Sequence, residues 1–145
     1  MRNHLMCAAV LVAAIAAAVI GAEGESAGAV QTTSSWQLGE DAETKKNPLT
    51  PDEKTLAAGR AIFKDKCQKC HGPGGLGDGP DADPDARPDM DLTAPKRADR
   101  NPDGVVYYKV LNGRRRPKMP ALKDELTEQQ IWTVVTYAQS LRRKP

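Results

Sequence analysis

The stretch CQKCH, residues 67–71, sets two thiols three residues apart with an imidazole directly behind the second. Three chemistries use such a cluster: a metal ion held by sulfur and nitrogen, a dithiol that cycles with a disulfide, and a haem fixed through two thioether bonds. Structural zinc needs four protein ligands, and catalytic zinc usually three plus a vacancy. After residue 22, Cys67 and Cys70 are the only cysteines and His71 the only histidine. Residues 70 and 71, being consecutive, also point in different directions on a helical turn, so zinc is a poor fit. A thioredoxin-like dithiol would sit in a βαβ pattern, which the sequence lacks. Haem fits best. Cysteines at i and i+3 can reach two vinyl groups along one porphyrin edge while the next histidine turns beneath the iron as an axial ligand, and C-x-x-C-H is among the more specific short motifs for this attachment.

With His71 used, no second histidine remains after residue 22, so the sixth iron position falls to a methionine or stays open. Met90 stands between Asp89 and Asp91, and placing its sulfur on iron would drag two carboxylates toward an apolar pocket at a desolvation cost. Met119 lies in Pro117-Lys118-Met119-Pro120, where Pro120 biases it toward extended backbone and both prolines stiffen the strap. Met119 is the expected distal ligand, against the commoner use of methionine as a gap-filler.

The elements that must hold these residues are helices. Thr50-Pro51-Asp52-Glu53 reads as a capping box with Thr50 as cap and Pro51 in the first helical position. Leu56, Ala57, Ile62 and Phe63 then form an apolar face, with Gly59 a gap where another element can approach. This helix delivers its C-terminal end to Cys67. Residues 72–91, dense in Gly, Pro and Asp, read as a surface loop. Asn101-Pro102-Asp103 signals a short middle helix that stops at Asn112-Gly113, and residues 114–121 are extended around Pro117 and Pro120. Thr127 to Gln130 forms a capping box before Ile131, Val134, Val135, Ala138 and Leu141, the last helix. With no β pattern the class is all-α, about three to four helices wrapped around one covalently bound haem. The haem also supplies a missing core, since residues 50–145 contain five aromatics and thin small domains need a staple.

Upstream, a basic start at Arg2 precedes an uncharged Ala-rich run over residues 5–22. Residues 1–22 read as a signal peptide or an N-terminal membrane anchor, Cys7 belonging to this leader. Residues 23–49 read as a flexible linker with Trp36 a partly exposed aromatic in a loose arm, in preference to one docked on the domain, and residues 50–145 as the folded domain. A net charge of +2 is too small for a nucleic-acid binder. Local charge is lopsided: residues 72–104 carry eight acids and four bases, residues 105–123 six bases and no acid. Arg114, Arg115, Arg116 and Lys118 adjoin the methionine strap and would either steer acidic redox partners, pair with haem propionates, or stay solvated. Arg142, Arg143 and Lys144 read as complementing the last helix or remaining free.

Over residues 50–143 the chain resembles a class I cytochrome c of the bacterial single-haem type, on the strength of "CQKCH", "KMP", "AAGRAIF" and "VTYAQSL". The resemblance implies haem c bound through Cys67 and Cys70, His71 as proximal and Met119 as distal iron ligand. It further implies packing of Gly59 and Phe63 against Tyr137, with the Pro80 carbonyl in "GDGP" accepting the ligand histidine's N–H. His/Met ligation closes both axial positions and raises the reduction potential. The expectation is a monomeric, non-enzymatic, extracytoplasmic one-electron carrier in the periplasm, exchanging electrons with membrane or periplasmic oxidoreductases of a respiratory chain, either free or tethered through residues 5–22. Two other readings stay open: an electron-acceptor subunit of an extracytoplasmic dehydrogenase, and a ligand-binding haem protein with an open sixth site.

Overall fold

A computed structural model of the chain describes residues 36–142. The leader of residues 1–22, its tethering run, residues 23–35 of the linker, and Arg143 and Lys144 lie outside the described residues. Six helices follow in order: α1 (Glu53–Lys66), α2 (Gln68–His71), α3 (Arg87–Met90), α4 (Pro95–Ala98), α5 (Asp103–Asn112) and α6 (Glu128–Ser140). A 3-10 turn at Pro84–Ala86 precedes α3. The described residues contain no strand, and two isolated bridges, Leu76 to Asp91 and Arg114 to Met119, pin the loops. The chain is all-α. Three helices exceed two turns, and the other three are single turns within the connections.

Helix α1 begins two residues later than its cap signal suggests. Asp52, rather than Thr50, is the N-cap: its Oδ1 accepts from the Thr55 N–H at 2.7 Å. A carboxylate beside the positive end of the helix dipole does this work better than a hydroxyl. The Thr127 capping box of α6 forms as expected, with Thr127 Oγ1 accepting from Gln130 N–H and the Gln130 side chain accepting from Thr127 N–H. In α5 Asn101 does not cap. Its side chain instead donates to the Arg97 carbonyl at 2.7 Å.

The frame is the crossing of α1 on α6, with α5 also packed on α6. At the crossing Gly59 is buried, and a Cβ there would stand 2.5 Å from the Thr133 carbonyl oxygen. Only a residue without a side chain lets the two backbones meet so closely. One turn on, Phe63 is 2% exposed and packs on Tyr137 with ring centroids 5.3 Å apart, so the packing role expected of these three residues holds. Ala57, placed on the apolar face by spacing alone, is exposed. From α5, Tyr107 stacks on Trp132 at 4.3 Å, and Ile131, Val134 and Val135 fill the space between, each 1% exposed or less.

Part of the segment read as linker packs on this frame. Trp36 is half-buried, Ala42 is buried, Tyr108 Oη donates to Asp41 at 2.6 Å, and Asn47 Nδ2 donates to Thr136 Oγ1 at 2.8 Å. The loose-arm reading of Trp36 is therefore corrected: polar residues dominate its neighbourhood in sequence, and its partners lie some seventy residues on, in α5 and the strap after it.

Candidate functional site

Cys67, Cys70, His71 and Met119 all line one cleft of about 260 Å³ between α1, α5, α6 and the loops. Helix α1 ends where the Cys67 N–H bonds to the Phe63 carbonyl at 2.9 Å. The chain then turns immediately into α2, whose single turn carries Cys70 and His71 on consecutive residues. Both thiols are unpaired and half-buried. Burial pushes the Cys67 thiol up to about 12, so it stays protonated at neutral pH. Such a thiol is neither a ready metal ligand nor a fast disulfide exchanger, both of which need the thiolate. Among the described residues no three His, Cys, Asp or Glu side chains cluster as a metal site.

The imidazole is oriented from behind. His71 Nδ1 lies 2.8 Å from the Met90 carbonyl oxygen, and a carbonyl can only accept, so Nδ1 carries the proton and Nε2 keeps its lone pair. Burial holds the ring below the ordinary histidine value, keeping it neutral. A neutral histidine whose far nitrogen is tied to a carbonyl is what a metal-ligating ring needs. The acceptor is not Pro80, which is exposed. The loop runs on through α3 and brings the Met90 carbonyl to the ring, ten residues later than expected. Met90 itself is buried and lines the cleft.

Met119 lies on the strap after α5. The Arg114 and Met119 backbones exchange hydrogen bonds at 2.9 and 3.0 Å, which closes residues 114–119 into a tight loop. The methionine side chain packs against the core. The basic run divides: Arg115, Arg116 and Lys118 are exposed, whereas the Arg114 side chain is 12% exposed and turned inward.

The cleft has an apolar wall, built from Phe63, Leu92, Val106, Val110, Leu122 and Val134, and a connected polar group that spacing did not reveal. Asn101 organises that group. It donates to the Arg97 carbonyl and accepts from Lys109 Nζ, while its own carbonyl accepts from Gln139 and Arg142. Arg142, expected to be free or a helix cap, is thus drawn into the cleft lining. Arg97 and Arg114 share the Asp89 carboxylate at 3.7 and 3.8 Å, although Asp89 is 61% exposed. Arg114 Nε is buried without any partner, and burial brings Lys109 down to about 8. The cleft is short of negative charge.

These features fit haem. Two thiols and an aimed imidazole sit at its lining, an apolar wall follows, and an undercharged cation group could take the two carboxylates that haem carries. A helical frame closing around such a cleft defines a c-type cytochrome with a single haem c. Residues 54–137 match the family described as cytochrome c oxidase, cbb3-type, subunit III, and the chain belongs to it. It is also similar to a chain of the Kuenenia stuttgartiensis reducing HAO-like protein complex, with 35% identity and a TM-score of 0.57. That match covers 66% of this chain and 47% of the other, so the chain spans about half the length of that relative. No curated protein matches. The activity that the fold and family support is electron transfer through covalently bound haem c.

Proposed function

We propose that the protein is an extracytoplasmic one-electron carrier whose haem c is joined to Cys67 and Cys70, with His71 and Met119 as axial ligands. The observation that carries this reading is the 2.8 Å bond from His71 Nδ1 to the Met90 carbonyl, which leaves Nε2 as the ligand nitrogen in a cleft that both thiols and Met119 also line. When bound, haem c supplies a one-electron Fe(III)/Fe(II) couple. The chain's own residues do the rest. Met90 O holds the proton on Nδ1, Phe63 and Val134 keep water from the ring, and Met119 offers a thioether whose neutral sulfur favours the reduced state. With both axial positions taken by side chains, the protein turns over no substrate of its own.

Exposed Arg115, Arg116 and Lys118 beside the strap suit an acidic redox partner, and the carrier acts as a monomer in the periplasm, cut from its leader or tethered through residues 5–22. Expression with a haem-maturation system, a denaturing gel stained for haem and a reduced-minus-oxidised spectrum test the attachment. A pigment wholly removed by acid-acetone would overturn it. Membrane fractionation of the native protein separates the free from the tethered form.

The similarity to a chain of a multi-protein complex favours a second reading, a fixed electron-acceptor subunit. Co-purification with an oxidoreductase under mild conditions would select it over the free carrier.

A further inference from the structure

We propose that residues 36–47, which precede the family domain, complete the haem pocket: Trp36 lies over Arg114 and Lys109 and fixes those cations toward the two carboxylates of the porphyrin. The family match begins at residue 54, so nothing in that match accounts for the arm. The Trp36 ring centroid is 4.4 Å from Arg114 Cζ and 5.1 Å from Lys109 Nζ, and Trp36 lines the same cleft as the thiols and the imidazole. An indole face attracts cations, more strongly when water is kept away.

The arm is anchored so that Trp36 stays in place. The Gln37 carbonyl accepts from Asn112 Nδ2 at 2.7 Å, Asp41 accepts from Tyr108 Oη at 2.6 Å, and Gly39 lies against the Tyr108 ring. These partners are all on α5, the helix that ends in the turn to Arg114.

Beneath the indole the charges do not balance. Arg97, Lys109 and Arg114 face one largely exposed carboxylate, Asp89, and Arg114 Nε is orphaned. An unpaired buried donor is costly, and a carboxylate is its strongest natural partner. Haem carries two carboxylates at the porphyrin edge away from its vinyl groups. The inference rests on the haem c reading and adds that the arm, through Arg114, raises the reduction potential. A carboxylate whose charge is offset by a guanidinium stabilises ferric iron less than an unpaired one in the same place.

The test uses full-length holoprotein, with haem attachment first verified on a stained gel so that loss of haem is not mistaken for failure of the arm. Midpoint potentials are then compared at fixed pH and salt. Arg114→Gln should move the Fe(III)/Fe(II) equilibrium toward ferric about tenfold, about 59 mV for one electron. Trp36→Ala should move it the same way by about threefold, and the double variant by less than the product of the two, since the indole acts through the guanidinium. Trp36→Phe should keep the wild-type potential, while Trp36→Leu, which keeps bulk without a ring face, should fall with Ala. An unchanged potential in Trp36→Ala, a fully multiplicative double variant, or a Leu variant equal to wild type would each overturn the proposal.

Discussion

The two straps that line the cleft are held in opposite ways. Residues 72–92 are stitched to the attachment turn: Gly77 N–H bonds to the His71 carbonyl at 2.9 Å, Gly79 to Cys70 at 3.3 Å and Asp81 to Lys69 at 2.8 Å, and the Met90 carbonyl accepts a hydrogen bond from the imidazole Nδ1–H. Residues 113–123 are stitched to themselves and to α5, through the Arg114 and Met119 pair and the Leu122 and Lys123 N–H groups, which bond to Val110 at 3.1 Å and Leu111 at 3.2 Å. The first strap fixes a ring by backbone that can hardly move. The second fixes a backbone from which a flexible thioether then reaches out. The imidazole side is thus set in advance, while the methionine side can be altered without dismantling the frame.

The largest expected effect lies on the adaptable side. Met119→Ala should leave haem on the stained gel and cost less in urea titration than Gly79→Ala, while ferrous protein changes from poor to ready carbon monoxide binding. The gain should be at least about tenfold, or about 1.4 kcal/mol at the sixth position. On the rigid side, a Cβ at Gly79 would stand 2.2 Å from the Lys69 carbonyl oxygen. Gly79→Ala must therefore push two backbones apart and should cost about 1–3 kcal/mol of stability in urea titration. Equal losses of stability from the two variants would dissolve the distinction between the straps. Thr127→Ala removes the α6 cap far from both straps and should cost about 1 kcal/mol with the haem spectrum unchanged, which gives a baseline for purely structural damage. The smallest effect belongs to Asp89, whose exposed carboxylate touches Arg97 beside one strap and Arg114 on the other. Asp89→Asn should leave the urea midpoint within error of wild type. A large shift there would mean that the straps are coupled.

What the sequence made legible follows the range of each interaction. The Thr127 box, the Gly113 stop and the attachment turn are written in residues three or four apart, and all form. Gly59 could be read as a place of close approach, and resemblance rather than pattern named Tyr137 as its partner. The cap of α1 slipped by two residues because the Thr50-Pro51-Asp52-Glu53 pattern has the form of a capping box, which outweighed the better capping carboxylate of Asp52 inside it. The acceptor for His71 was missed for a different reason: every residue carries a carbonyl, so no side-chain signal marks Met90 rather than Pro80. Trp36 and the Asn101 network escaped because their contacts join residues far apart in the chain, and their composition reads as solvated surface.

The α1 and α6 crossing has a consequence for how the molecule is assembled. The helix that leads into the thiols is made before the helix that backs it, so Phe63 has no wall behind it until α6 arrives. Until α6 packs on α1, the turn that carries the cysteines and the imidazole lacks that wall. Once it does, the same residues line the cleft that the helices enclose.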